Sequence, residues 1–196
     1  LWNYPRSLTG HGTSSTLKYL KNINKDLCIY SFKSGTKVFD WTVPDEWNIY
    51  DAYISNEFGK KFAEFSKNNL HVMGYSVPCN MYLELDELLP HIYTQPDQPD
   101  VIPYVTSYYN DNWGFCMSEI DKKKLPNGKY HVVIDATKAP GTMELADLVI
   151  KGESSEEIFF STYICHPSMA NNELSGLVLA TAIIQYIKSK YPNPEY

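Results

Sequence analysis

The sequence lacks long hydrophobic runs, paired cysteines and an excess of positive charge, and each absence excludes a class of protein. No apolar run approaches the roughly 20 residues that a membrane-spanning helix requires. The first residues lack the charged and apolar regions of a signal peptide. The net charge of −6 disfavours nucleic-acid binding, because a protein neutralises phosphates with clustered Lys and Arg side chains. We therefore expect no membrane and no nucleic-acid partner for this chain.

The four cysteines are far apart and form no CxxC pair: Cys28, Cys79, Cys116 and Cys165. Small buried thiols are the default interpretation of this pattern, and they indicate a reducing, cytoplasmic setting. With 196 residues and 43% hydrophobic side chains, the chain is long enough to bury a substantial core. Its composition excludes a disordered protein.

The chain contains two kinds of hydrophobic pattern, one typical of α/β structure and one typical of β structure. A helix at residues 14–22 and a strand at 27–32 are predicted first. The next hundred residues are aromatic and β-branched, with strands predicted at 70–77, 102–109 and 129–134 and one helix at 81–89 that Pro90 ends. We therefore predict an α/β domain formed by residues 1–40 and 142–196, interrupted by a β-rich domain at 41–141.

The last third of the sequence returns to an α/β pattern. Strands are predicted at residues 145–150 and 158–164, followed by a loop and a helix at 174–188. This helix is apolar on most of its faces, which is typical of a helix covered by a sheet and other helices. Its packing partners are expected from beyond Tyr196 or from another chain.

The loop between the second strand and this helix contains the candidate chemistry. Ligands of open α/β sheets bind beyond the carboxyl ends of strands, where Cys165 and His166 are predicted to lie. An imidazole there can bind zinc with a carboxylate or amide oxygen a few residues later. Alternatively, Asn171 or Asn172 caps the helix, Glu173 occupies its first turn and His166 is an ordinary histidine. A Cys165–His166 nucleophile pair is disfavoured, since successive strand residues point to opposite faces.

The segment His166-Pro-Ser-Met-Ala-Asn-Asn-Glu-Leu-Ser-Gly176 resembles the metal loop of the co-catalytic zinc aminopeptidases. In that loop a strand-end His precedes an Ala/Gly-Asn-Asp-x-x-Ser-Gly sequence at a helix start. Arg6-Ser-Leu-Thr-Gly10 and Asn69-Leu-His-Val-Met-Gly-Tyr-Ser76 resemble a narrower, uncharacterised bacterial family of aminopeptidase-like proteins. The resemblance covers nearly all of the chain. It implies the first half of an α/β/α aminopeptidase-like sandwich with an inserted β-rich domain, often followed by a winged helix.

The resemblance also implies roles for individual residues. His166 falls on a zinc-ligand histidine, and Asn172 falls on the aspartate that bridges two zinc ions. A neutral amide oxygen at Asn172 cannot supply the bridging negative charge, so two-zinc binding is expected to be weakened. Glu173 is able to substitute only if the loop changes register. Arg6 resembles an arginine typical of the narrower family, with a substrate carboxylate or a structural ion pair as its alternative partners.

The function implied is that of a zinc-dependent aminopeptidase-like hydrolase that cleaves a peptide or amide bond of a peptide or small-molecule substrate. The general base and the remaining metal ligands are implied downstream of the loop. The alternative is a catalytically inactive binding or regulatory protein with the same fold, linked to polysaccharide biosynthesis. The sequence leaves the oligomeric state open.

Overall fold

The computed structural model describes residues 1–191 and divides the chain into two compact units. Unit 1 combines Leu1–Val43 with Gly141–Tyr196, and unit 2 is Pro44–Pro140. Both units contain helices and small sheets, so the fold class is mixed α/β. The identification of unit 1 with an aminopeptidase-like domain and of unit 2 with an insertion stays a prediction.

The described residues form four α-helices and ten strands. The helices are α1 (His11–Ile23), α2 (Leu85–Leu88), α3 (Glu119–Lys122) and α4 (Ser175–Lys190). The strands are β1 (Cys28–Lys33), β2 (Lys37–Val38), β3 (Trp41–Thr42), β4 (Glu46–Asn56), β5 (Lys61–Phe62), β6 (Cys79–Glu84), β7 (Ile92–Tyr93), β8 (Phe115–Cys116), β9 (Lys129–Ala139) and β10 (Thr142–Asp147). None of the helices in this part of the chain is long and apolar enough to cross a membrane.

Unit 1 is built on an antiparallel pair, β1 and β10, whose register runs from Cys28 opposite Asp147 to Lys33 opposite Thr142. The predicted first helix and first strand are confirmed, although α1 begins three residues early at His11. The strand predicted at 145–150 begins earlier, because β10 starts at Thr142 where β1 offers backbone partners.

The prediction of a strand at residues 158–164 is wrong. This segment carries no strand assignment, and its apolar side chains at Ile158, Phe159 and Phe160 are more than 60% exposed. A strand needs a neighbouring backbone to complete its hydrogen-bond ladder, and no described strand pairs with this segment. A sequence rich in β-branched and aromatic residues is therefore not sufficient to form a strand in this segment.

Helix α4 confirms the predicted helix at residues 174–188, but most of its apolar surface is open. Leu177 is buried, whereas Val178, Leu179 and Tyr186 are each more than half exposed. The described residues therefore do not cover this helix, and the expectation that its packing partners lie beyond Tyr196 or in another chain stays a prediction.

The start of helix α4 lies tightly against residue 162. A Cβ atom added at Gly176 would lie 2.3 Å from the hydroxyl oxygen of Thr162, which is closer than real contacts allow. The glycine thus permits the helix to begin directly beside the chain that leads to Cys165 and His166. This contact positions the loop between them.

Unit 2 is organised by a four-stranded antiparallel sheet in the order β5–β4–β9–β6. Inward-facing residues alternate along β9, where Tyr130, Val132 and Ile134 are at most 1% exposed. Ile54 of β4 is completely buried and lies opposite Val132 in the ladder. This alternation places the apolar core of unit 2 on one face of the sheet.

Three predictions within unit 2 are corrected. Residues 70–77 form a 3₁₀ turn at Asn69–His71 and a bend in which Tyr75 has a positive φ, so they are not a strand. Residues 102–109 contribute only an isolated bridge at Thr106. Within the helix predicted at 81–89, residues 81–84 instead belong to strand β6, because pairing with β9 overrides the helix propensity of their Met, Leu and Glu residues. Only Leu85–Leu88 is α-helical, as α2.

The core of unit 2 generates a stability prediction with a matched control. Ile54→Ala should lower the free energy of unfolding by about 3 kcal/mol, because it leaves a cavity in a fully buried position. Ile120→Ala removes the same atoms from a side chain that is 43% exposed and should cost under about 1 kcal/mol. Denaturant unfolding followed by circular dichroism measures both, and equal losses would contradict the assigned core.

The close contact at Gly176 generates a second prediction. Gly176→Ala should destabilise helix α4 by about 2 kcal/mol, because its methyl group overlaps the Thr162 side chain. Adding Thr162→Ala removes the overlapping hydroxyl and should recover most of that loss. Hydrogen exchange of α4 amides by mass spectrometry reports the change, and failure of the second substitution to rescue would contradict the contact.

Candidate functional site

The candidate site is formed by the turn that enters helix α4. Ser168 is buried with a positive φ of 41°, so the chain reverses sharply just after His166. Residues Ala170–Leu174 then form a π-turn, in which the amides of Leu174 and Ser175 donate to the carbonyls five residues earlier, at Met169 and Ala170. Single π-turns within helices are frequent at functional sites.

This turn directs Glu173 into the interior and toward His166. Glu173 is 1% exposed, and its Oε2 lies 2.9 Å from Nδ1 of His166. The other carboxylate oxygen, Oε1, is buried without a hydrogen-bond partner. Oε1 lies 3.9 Å from Nε of Arg6, which is an electrostatic contact rather than a hydrogen bond. A buried carboxylate is thus held between an imidazole and a guanidinium.

Arg6 is fixed from several sides. It is 1% exposed; its Nε donates to the backbone carbonyl of His166 at 3.1 Å, and its Nη1 donates to that of Leu1 at 2.6 Å. Helix α1 reaches the same stretch of chain, since a Cβ atom at Gly12 would lie 2.2 Å from the Pro5 carbonyl oxygen. Gly12 therefore lets helix α1 pack directly against the backbone that carries Arg6.

Burial controls the protonation of the charged pair. Removal from water raises the pKa of Glu173, while hydrogen bonds to His166 and the positive charge of Arg6 act in the opposite direction. Burial lowers the pKa of Arg6, and the charge of Glu173 opposes that shift. An arginine keeps its charge in proteins, so Arg6 supplies a permanent countercharge to the carboxylate.

Cys165 completes the cluster, which corrects an expectation. Its Sγ lies 3.8 Å from Nδ1 and 3.9 Å from Nε2 of His166, although the two side chains were expected to point apart. That expectation assumed a regular strand, and residues 165 and 166 are not in one. Burial, followed by the nearby charge of Glu173, raises the pKa of Cys165 to about 11, so the thiol is protonated at neutral pH. This environment does not support an activated cysteine nucleophile.

The structure thus brings His166 and Arg6 together and leaves Asn172 apart from them. Asn172 is exposed on the turn, and neither it nor Asn171 is an N-cap, since Met169 precedes the π-turn and Leu174 precedes helix α4. The residue that sequence reasoning gave too little weight is Glu173. The available signal was an acidic residue directly beside the matched position, but only the π-turn shows which of the two neighbours faces His166.

The donor atoms of this cluster suit a zinc ion. A donor atom from each of Cys165, His166 and Glu173 lies within 4.8 Å of the others. Imidazole nitrogen, carboxylate oxygen and thiolate sulfur are the usual zinc ligands. Oε2 of Glu173, 2.9 Å from Nδ1 of His166, is the carboxylate oxygen that contacts another donor of this cluster. The residues present therefore fit the metal that the sequence resemblance implies.

The buried ion pair generates a stability prediction. Arg6→Met keeps the stem of the side chain but leaves Glu173 buried without its countercharge, and it should cost about 3 kcal/mol. Adding Glu173→Gln should cost less than the sum of the two single losses, because the stranded charge is then gone. Hydrogen exchange of helix α4 amides measures the loss of stability in each variant.

Lys188→Met is the control for this pair, since Lys188 is partly exposed and its partner Asp26 is 60% exposed. It should cost under about 1 kcal/mol. An Arg6→Met loss no larger than that of Lys188→Met would contradict a buried electrostatic role for Arg6.

Comparison with known proteins supplies names for relatives of this chain. Residues 46–137 match the family profile described as "Domain of unknown function (DUF2172)". A Clostridium acetobutylicum protein named "Putative polysaccharide biosynthesis protein with aminopeptidase-like domain" is 48% identical over 189 residues, which cover 95% of this chain and 43% of that protein. A crystal structure from the same organism, described as a "putative peptidase", superimposes with a TM-score of 0.89 at 47% identity and covers 95% of this chain and 44% of that one. The chain thus spans less than half the length of both relatives, and it is similar to proteins named as aminopeptidase-like and peptidase.

Proposed function

We propose that this chain contributes the first part of the active site of a metal-dependent aminopeptidase-like hydrolase, with zinc as the metal and His166 as one of its ligands. The observation that carries the proposal is the partly buried imidazole of His166 in direct contact with a buried carboxylate, on a loop that enters a helix. Relatives named as a peptidase and as an aminopeptidase-like protein support the reaction class.

Zinc in such a site supplies a Lewis acid that polarises the scissile carbonyl and lowers the pKa of a bound water. The residues of this chain would hold and orient that ion. Oε2 of Glu173 and Nδ1 of His166 share a hydrogen bond, and both groups would hold the ion. Arg6 fixes the backbone of His166 through its carbonyl and balances the charge of Glu173. The matching general base and further ligands are expected elsewhere in the full-length gene product.

The position of Arg6 favours a structural ion pair over direct substrate binding. A substrate carboxylate needs an accessible guanidinium, and the side chain of Arg6 is fully buried. Its Nη2 atom has no partner in the described structure, but that atom is buried as well. We therefore propose that Arg6 acts on the substrate only through the loop that it holds.

A second candidate function is a catalytically inactive binding or regulatory protein. It is favoured by the neutral amide of Asn172, at the position where the resembling peptidases have a bridging aspartate. The name of one relative also mentions polysaccharide biosynthesis. In this case the fold is retained and the metal site is not used for hydrolysis.

Metal analysis and hydrolysis assays distinguish the two functions. The full-length gene product, purified without chelators, should contain zinc and release a reporter from aminoacyl substrates, and dialysis against a chelator should abolish the activity. His166→Ala should lower kcat/KM at least about 100-fold, since it removes a direct ligand. His131→Ala, a histidine in unit 2, is the matched control and should have little effect. Zinc-free protein with no hydrolysis would favour the binding function.

A further inference from the structure

The π-turn changes which residue of the loop faces His166. An i→i+5 turn contains one more residue than an α-helical turn, so the residues after it are rotated relative to a continuous helix. In the described turn Glu173 is 1% exposed and contacts His166, whereas its neighbour Asn172 is exposed. The structure therefore already contains the change of register that places a carboxylate, rather than the amide of Asn172, next to His166.

Cys165 supplies a second donor atom beside His166 and Glu173, which is anionic once the thiol is deprotonated. Its sulfur, the ring of His166 and the carboxylate of Glu173 are mutually within 4.8 Å. Tetrahedral zinc with ordinary bond lengths needs donor atoms about 3.3 to 3.6 Å apart. The observed 3.8 Å from Sγ to Nδ1 and 2.9 Å from Nδ1 to Oε2 lie on either side of this range. The third pair, the sulfur and a carboxylate oxygen, lies within 4.8 Å, so the three side chains would have to adjust to bind one ion.

The charges of these three groups also suit one divalent ion. A thiolate, a carboxylate and a neutral imidazole together carry two negative charges, which match one Zn²⁺. Arg6 faces Oε1 of Glu173 at 3.9 Å, while Oε2 faces His166. One oxygen of Glu173 thus faces the permanent charge of Arg6, and the other faces the proposed ligand position. Arg6 then has the usual role of an outer-shell partner, which orients a ligating carboxylate.

We propose that Cys165, His166 and Glu173 bind a single zinc ion, with Arg6 as a positioning residue and with Asn172 outside the ligand set. The proposal rests on the metal dependence proposed above and specifies the ligands. It replaces a two-zinc site bridged by residue 172 with a one-ion site that uses residue 173. Binding would release the thiol proton to solvent, and the proton shared by Nδ1 of His166 and Oε2 of Glu173 would move to Nε2 of the imidazole or to solvent, so that a thiolate, a neutral imidazole and a carboxylate would hold the ion.

Cobalt substitution tests the cysteine ligand without any mutation. Co²⁺ bound to the chelator-treated full-length gene product should give the near-ultraviolet thiolate-to-cobalt charge-transfer absorption, together with visible bands of tetrahedral intensity. Cys165→Ser should remove the charge-transfer absorption. Cys28→Ser, at an exposed cysteine of the same unit, should leave it unchanged. Bound Co²⁺ without this absorption would overturn the proposal.

Zinc titration tests the carboxylate. Glu173→Gln should weaken Zn²⁺ binding by at least about 100-fold, because a direct ligand is worth no less than an outer-shell partner. Asn172→Ala and Asn172→Asp should each change the affinity by less than about threefold, since residue 172 is exposed and outside the ligand set. Circular dichroism verifies that each variant is folded, and Glu173→Asp serves as a conservative second variant that should bind more weakly than the unsubstituted protein.

The outcomes separate this inference from the proposed function. Tighter zinc binding in Asn172→Asp by about tenfold or more, or equal weakening by Asn172→Ala and Glu173→Gln, would overturn the ligand set while leaving a metal-dependent hydrolase in place. Binding of neither Zn²⁺ nor Co²⁺ would overturn both. Zinc binding with the predicted ligands but no hydrolysis would support the site and contradict the proposed reaction.

Discussion

The buried carboxylate of Glu173 is the constraint on which the rest of unit 1 depends. An ionised group removed from water is stable only where charges and donors compensate its lost hydration. Here the compensation comes from Arg6 at one oxygen and His166 at the other. The pair connects the first residues of the chain to the start of helix α4, across more than 160 positions of sequence. This buried contact therefore adds to the β1–β10 ladder in joining the two separate segments of unit 1.

Close packing at two glycines and two unusual backbone conformations accompany that contact. Gly12 allows helix α1 to approach Pro5, and Gly176 allows helix α4 to begin beside Thr162. Ser168 adopts a positive φ, and the π-turn adds a residue before the regular helix begins. Such conformations carry a local cost and persist where the surroundings over-determine them. Their concentration around His166 and Glu173 is consistent with a preorganised binding site.

The two units differ in how they are stabilised. Unit 2 has a conventional apolar core, in which the alternating side chains of β4 and β9 pack on one face of a four-stranded sheet. In unit 1 the described residues bury few large apolar side chains and leave Phe159, Val178 and Leu179 open to solvent. The polar cluster at Glu173 accordingly forms a larger share of the interior of unit 1. A change at Arg6 is therefore expected to act on the whole unit rather than locally.

Sequence alone determined the elements whose stability is local and the residues whose chemistry is intrinsic. The periodicity around Leu17 and around Leu177 was enough to find helices α1 and α4, and His166 was identified as the candidate ligand from its loop. Tertiary structure decided the strands, because a strand forms only beside a paired neighbour. Strand β6 forms against β9 despite its helix-prone residues. Residues 158–164 have no described partner and do not form a strand. The choice between Asn172 and Glu173 was likewise invisible in the sequence. Two adjacent residues differ by about 100° around a helix, and only the hydrogen-bond register of the π-turn determines which of them faces the buried arginine.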